Sequence, residues 1–394
     1  MDEKLEQIET EHKKRLKKVF SLRNRLMMWA ALCGILLSFC IVPGGLQLFR
    51  NTVFSILPTA PKTINLPSDP YQNGFKHGKK YKFAINLLCD YYLKKIVCRN
   101  SDKILNERST TAEKLFASID KRWTEEIQGL SDGCKVNKKE LMLANSFLDI
   151  GLGELGCRQV VLDAKGIAPR QPQRLLHAHN LDWDNLGGVG NFLVTIFRKA
   201  GSKKRFATVR LGFPGMIGAL TIINEKGISL GFNQLGSART ESKMPIFIQM
   251  RNIAETCTSF EEAEKILLNM PQGMPFCIMM ADAKTGQAAV YERSRDPEIN
   301  KRNITKGVLT ADNSPWCGRS MSGCSVDEVA RQYGQKNCDL VLMKSILRDK
   351  RVLLGCNIYS VIFDYKNNTF YLASGKIPAA NGEYREFTLF EEKL

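Results

Sequence analysis

Few side chains in this 394-residue chain have types and spacing suited to covalent chemistry, and the most suggestive are close together. Gly156-Cys157 opens the run Arg158-Gln159-Val160-Val161-Leu162, which places a thiol at the head of a strand with a small residue before it. His177-Ala178-His179-Asn180-Leu181-Asp182-Trp183 follows twenty residues later. A thiol beside a glycine carbonyl can attack it, shift the acyl group from nitrogen to sulfur, and release it to water. The new chain would begin at Cys157, and its α-amine, with an unperturbed pKa of roughly 7.7–8.0, is basic near neutral pH. One residue then supplies both nucleophile and base, the part a histidine plays beside other catalytic cysteines. Against this stands the commoner use of cysteine as a small buried apolar side chain.

Other chemistries find less support. His177 and His179 would share a face of a strand, but no third ligand stands at a persuasive spacing, so no metal is expected. No Gly-x-Ser-x-Gly elbow is present, and Leu186-Gly187-Gly188-Val189-Gly190 lacks the spacing of a phosphate loop. The twelve cysteines include no Cys-x-x-Cys pair, although Cys317 and Cys324 are near enough to bridge in an oxidising compartment. The formal charge of +17 is spread along the chain without a nucleic-acid-binding signature, so it reads as a solvated surface and no nucleic-acid partner is expected.

The elements that must position Cys157 divide the chain in two. Residues 1–25 form a charged tail ending in a basic cluster that includes Lys13, Lys14, Arg15, Lys17 and Lys18; residues 26–49 carry no charge. That apolar length suits a membrane span, and the positive flank predicts a single-pass signal anchor with a cytoplasmic N-terminus and an extracytoplasmic catalytic body. A cleaved signal peptide and a buried helix are the alternatives. Residues 50–70, with Pro58, Pro61, Pro67 and Pro70, read as an extended linker. Residues 71–156 read as a helical pro-segment: Ala84, Leu87, Leu88, Tyr91 and Tyr92 recur at helical spacing, and further helices are expected near 111–130 and 138–148.

Residues 157–394 turn to β texture. Strands are expected at 191–198 and 205–211. Hairpins are expected at 217–233 across Asn224-Glu225-Lys226-Gly227, at 276–292 across Asp282-Ala283-Lys284-Thr285-Gly286, and at 358–373. The capping boxes Ser259/Glu262 and Ser325/Glu328 announce two intervening helices. Hairpins with helices set between them predict an α+β fold of stacked antiparallel sheets covered by helices.

The stretches around Cys157 resemble the N-terminal-nucleophile hydrolases, in the branch of the isopenicillin N acyltransferases and, more distantly, choloylglycine hydrolases, acid ceramidase and N-acylethanolamine amidase. Tyr71-Gln72-Asn73-Gly74-Phe75-Lys76-His77-Gly78 and Glu126-Ile127-Gln128-Gly129-Leu130-Ser131-Asp132-Gly133 are similar to that family's pre-cleavage region, and Gly156-Cys157 to its processing site. Asn180-Leu181-Asp182-Trp183, the hairpin Gly218 to Asn233, and Leu309-Thr310-Ala311-Asp312-Asn313 follow in the family's order. The resemblance implies a four-layer αββα sandwich, self-cleavage before Cys157, and attack on a linear, non-peptide amide through a thioester, with no cofactor. It implies that Asp182 orients or pairs with the α-amine of Cys157, and that Asn233 and Asn313 donate to the oxyanion. The two fragments would stay associated and take a small N-acyl amide.

Two departures bear on substrate class. His179 stands where bile-salt-hydrolase relatives carry Arg, which makes it a neighbour of the active site, and Arg158 replaces the small hydroxyl residue that often follows the nucleophile. The family's late arginine falls on either Arg319 or Arg331. A reading from another class is an inactive, membrane-tethered binding protein on the same fold.

Overall fold

Strands buried along their whole length and joined by tight turns build most of the sheet framework. The computed structural model describes residues 62–152, 155–183, 186–201, 205–236, 243–271, 273–294, 298–313, 325–333 and 338–391. The tail and apolar segment expected at 1–49 lie outside the described residues, as do Cys317, Cys324 and Arg319. Among the described residues no helix is long and apolar enough to cross a membrane.

The first described element is strand β1 (Lys62–Leu66), inside the stretch expected to be linker; it pairs in parallel with β4 (Val194–Arg198). Its alternation of buried Ile64 and Leu66 with exposed neighbours suits a sheet edge, where the prolines on either side do no harm. Helix α1 (Pro70–Lys80) follows, with Asp69 capping it and Pro70 in its first turn. Helix α2 (Lys82–Leu87) widens into π-helical turns over Leu88–Val97. The helix expected near 111–130 is two: α3 (Asp102–Ala117) ends at Ser118, and Asp120 caps α4 (Lys121–Cys134). Helix α5 (Lys138–Ala144) completes the block.

Two motifs in that block have a packing cause. Gly74 and Gly78 of α1 face Gly129 and Gly133 of α4, and the helix backbones touch there. A Cβ on Gly74 would lie 1.9 Å from the carbonyl oxygen of Glu126, and one on Gly129 would lie 2.0 Å from that of Tyr71. Only glycine permits that approach.

The six-stranded sheet contains β2 (Gly156–Asp163), β3 (Leu175–Asp182), β11 (Val308–Ala311), β12 (Asn357–Asp364), β13 (Thr369–Ser374) and β14 (Arg385–Thr388), in the order β11-β2-β3-β12-β13-β14. The eight-stranded sheet runs β1-β4-β5-β6-β7-β8-β9-β10. Its further members are β5 (Thr208–Gly212), β6 (Thr221–Asn224), β7 (Ile228–Gln234), β8 (Phe276–Asp282), β9 (Ala288–Arg293) and β10 (Asn300–Asn303). Apart from β1 and β4, the described pairs are antiparallel.

Period-two alternation along β2 decides what meets what. Val161 turns inward to Met279, Ala281 and Val290 of the other sheet. Val160 and Leu162 turn outward, under α8 (Ser325–Tyr333) and α9 (Leu340–Arg348). On the opposite side α6 (Ile246–Thr256) packs on β6 and β7, and α7 (Phe260–Leu268) on β8. The layers are therefore helix, sheet, sheet, helix, as the α+β reading required. Ser259 caps α7 as expected, but the Glu262 carboxylate turns back to Thr258 rather than to Ser259. Helices α6 and α9 were not anticipated.

Candidate active site

Cys157 sits fully buried on β2, with its partner Leu181 on β3 and Tyr359 beyond that on β12. Gly156 pairs with Asp182, and a Cβ on Gly156 would stand 3.1 Å from the Cβ of Asp182. The glycine therefore makes room for the aspartate side chain directly across the strand pair, as well as presenting an unhindered carbonyl.

The backbone on either side of the Gly156–Cys157 bond is gripped by four side chains. Asn313 Oδ1 accepts from the Cys157 N–H at 2.6 Å, while Asn313 Nδ2 donates to the carbonyls of Leu155 at 2.9 Å and Gln234 at 2.8 Å. Asn233 Nδ2 donates to the Cys157 carbonyl at 3.2 Å, and Arg158 Nη1 donates to the same oxygen at 2.8 Å. Gln234 reaches back with its Oε1 to the Leu155 N–H at 2.8 Å. One amide, that of Asn313, thus holds the chain before and after the bond.

The charges follow from burial. Burial first, then the neighbouring Asp182, hold the Cys157 thiol well above its usual range; Arg158 and the Asp182 backbone N–H pull the other way. Burial lifts Asp182 to about 7, partly opposed by Arg158 and Asn357. Asn357 does not form a sound hydrogen bond to that carboxylate: its Nδ2 donates to the carbonyls of Leu181 and Tyr359, and both Asp182 oxygens are buried without a hydrogen-bond partner. A buried carboxyl so placed is a poised proton acceptor near neutral pH.

His179 is fully buried, and burial pushes its imidazole down to about 3, so it is neutral. Its Nδ1 lies 2.5 Å from Thr221 Oγ1, which in turn lies 2.7 Å from Tyr359 Oη. It supplies no cation beside the thiol; the guanidinium there belongs to Arg158. Arg331 lies on α8 in the outer helix layer, bound to Asp327 at 2.8 Å, away from this cluster.

The structure therefore gathers Gly156, Cys157, Asp182, Asn233 and Asn313 around one peptide bond. In the uncleaved chain Asn313, not Asp182, holds the Cys157 nitrogen, and both asparagine amides grip backbone. Gln159, Thr221, Gln234, Asn357 and Tyr359 escaped the sequence reading. Gln159 had a usable signal, since two residues beyond Cys157 on a strand is the same face.

An apolar cavity of about 750 Å³, its open mouth included, adjoins this centre. Leu155 and Trp183, each next to a site residue, stand in its wall. The pro-segment contributes Leu88, Tyr92 and Phe147, and the β-rich body Phe213 and Met216. Trp183 packs edge-on to Tyr92 and Phe213 and stacks on Phe147, at ring separations of 5.5, 5.4 and 6.0 Å.

Comparison with known proteins shows the following similarities. The family model described as acyl-coenzyme A:6-aminopenicillanic acid acyl-transferase matches residues 170–315, a span that holds Asp182, Asn233 and Asn313. Acid ceramidase of Balaenoptera acutorostrata scammoni is 23% identical over 348 residues, 78% of this chain and 84% of that protein. Among solved structures, the Caenorhabditis elegans N-acylethanolamine-hydrolyzing acid amidase ortholog aligns with a TM-score of 0.45 at 17% identity, over 52% of this chain and 92% of its own. Penicillin V acylase from Agrobacterium tumefaciens aligns with a TM-score of 0.42 at 14% identity, over 59% and 86%. Over residues 170–315 the chain is thus similar to the acyl-coenzyme A:6-aminopenicillanic acid acyl-transferase family, and over 78% of its length to acid ceramidase.

Proposed function

We propose that the chain cleaves itself between Gly156 and Cys157 and that the new N-terminal cysteine then hydrolyses, or transfers the acyl group of, a linear N-acyl amide with an apolar acyl chain. The observation that carries this reading is the grip of Asn313 on both sides of that one peptide bond. In the first step Asp182 takes the thiol proton as the sulfur attacks the Gly156 carbonyl. The C–N bond breaks, the Cys157 nitrogen takes up a proton, and water releases the Gly156 carboxylate from the thioester.

Cleavage changes the donors. Leu155 and Gly156 become a chain end, which frees an Asn313 N–H from the Leu155 carbonyl and opens the cavity wall beside the sulfur. In the second step the α-amine of Cys157 takes the thiol proton, and the thiolate attacks the substrate amide. Asn313 and the second N–H of Asn233 Nδ2 serve the oxyanion, a contribution of typically 10²–10³ in rate per donor. The leaving amine departs protonated, and water or an acceptor amine resolves the acyl thioester.

The cavity supports an apolar acyl group because its wall is aliphatic and aromatic. The amine half of the substrate is assigned no pocket. The segment 26–49 remains part of the proposal as a membrane anchor that keeps the catalytic body outside the cytoplasm. The test is hydrolysis of N-acyl amides of graded chain length by the cleaved protein, with Cys157→Ser as control. Rates should rise from acetyl to medium and long chains; a protein that cleaves itself yet turns over none of them contradicts the substrate assignment.

A further inference from the structure

Between the sheets lies a row of buried polar side chains of which the proposed mechanism uses only Asn233. Gln159 and His177 face inward from the six-stranded sheet, and Ser229 and Asn233 face them from β7; all are at most 2% exposed. His177 Nδ1 lies 2.8 Å from Ser229 Oγ, and His177 Nε2 lies 3.1 Å from Gln159 Oε1. Gln159 Nε2 donates to Asn233 Oδ1. We propose that Gln159 and His177 are positioning residues: a one-way hydrogen-bond chain, Ser229 to His177 to Gln159 to Asn233, fixes which end of the Asn233 amide faces Cys157. This rests on the reading of Asn233 as a donor at the nucleophile.

The direction of the chain is forced from its far end. The Cys157 carbonyl can only accept, so Asn233 must offer Nδ2 to it. Asn233 Oδ1 then faces Gln159 and can only accept, so Gln159 must present Nε2. That leaves Gln159 Oε1 toward His177, whose Nε2 must carry the proton. Burial keeps His177 neutral, with one ring proton, so its Nδ1 accepts, and the Ser229 hydroxyl donates to it at 2.8 Å in preference to the Ala281 carbonyl at 3.5 Å. Each link has one arrangement compatible with the next. A reversed Asn233 would set its oxygen against the Cys157 carbonyl and remove the donor from the reaction centre.

The packing has made room for this. A Cβ on Gly231 would stand 1.9 Å from Gln159 Oε1, so the glycine between Ser229 and Asn233 lets the Gln159 amide lie flat against β7. A core built for packing alone needs none of these four polar groups; apolar side chains of like shape at all four positions would fill the space without unpaired polar atoms.

The test is a double-variant cycle on the cleaved protein with a fluorogenic medium-chain N-acyl amide. Gln159→Glu keeps the shape but replaces the donor facing Asn233 with an acceptor, which draws Nδ2 away from Cys157. It should lower kcat at least about 10-fold with KM within about twofold, and Asn233→Ala should lower kcat about 10²–10³-fold. The double variant should be no slower than Asn233→Ala alone, because Gln159 acts only through that residue. Multiplying effects in the double variant, or an unchanged kcat in Gln159→Glu, overturns the relay. An unchanged kcat in Asn233→Ala instead overturns the reading of Asn233 as a donor, and the relay with it. If a variant cleaves too slowly to yield cleaved protein for assay, the rate of appearance of the fragment beginning at Cys157 replaces kcat in the same cycle. If Gln159→Glu does not fold, Ser229→Ala, the mildest break and the one furthest from the thiol, is run against Asn233→Ala with the same criterion.

Discussion

At the scale of single residues, Asp182 is where function and stability pull apart. An aspartate in the unfolded chain loses its proton near pH 3.9, whereas burial lifts Asp182 to about 7 in the fold. Between those values the folded chain holds the extra proton, so stability falls as pH rises from about 4 to about 7 and stays lowered above. Asp182→Asn in a Cys157→Ala background, where both proteins stay whole, should therefore gain in melting temperature over its parent at pH 8 and gain little at pH 4.5. The same substitution alone should abolish cleavage, and wild-type cleavage should speed up as pH passes through about 7. A cleavage rate flat across that range would remove Asp182 as the base. Cys157, Asp182, Asn233 and Asn313 were each legible in the sequence through short motifs in a known order. The grip of Asn313 on Leu155 and the relay through Gln159 were not, because the first joins residues 158 positions apart and the second crosses from β2 and β3 to β7 of the facing sheet.

At the scale of elements, hairpins were readable and all-buried helices were not. The pair β6 and β7 turns at Asn224 to Gly227, where Gly227 takes φ +90°, a backbone conformation that glycine adopts freely. Helix α6 hid because Ile246, Phe247, Ile248, Gln249, Met250 and Arg251 are all buried, so no polar face marks its period, and Pro245 gives no side-chain cap. Strand β1 hid among prolines. The α1–α4 contact was visible only as two glycine-bearing motifs whose reason lies in the closeness of the backbones. Gly129→Ala should therefore unseat α4 from α1, since the new methyl would overlap the Tyr71 carbonyl. The expected result is a loss of at least about 1–3 kcal/mol of stability, in the range of core overpacking, read by denaturant unfolding. Unchanged unfolding would mean that the two helices do not meet as described.

At the scale of the whole molecule, the pro-segment is built into the body by charge as well as by the cavity wall. Arg251 lies between Glu126 at 2.7 Å and Glu255 at 2.6 Å, Arg122 reaches Glu255 at 3.1 Å, and Trp123 is flanked by the Arg122 and Arg251 guanidinium groups. Glu126, Arg122 and Trp123 precede the proposed cut; Arg251 and Glu255 follow it. These groups are almost wholly buried, and removing one partner of such a pair typically costs about 3–5 kcal/mol. Cleavage should leave the two fragments together through gel filtration, and Glu126→Gln should lower the urea concentration at which they part.

The central claim is that one particular peptide bond is cut by the residue that follows it. Intact mass and N-terminal sequencing of freshly purified protein test it most directly. The expected result is a fragment beginning at Cys157, absent from Cys157→Ala. A wild-type chain that stays whole, indistinguishable from Cys157→Ala, would contradict it.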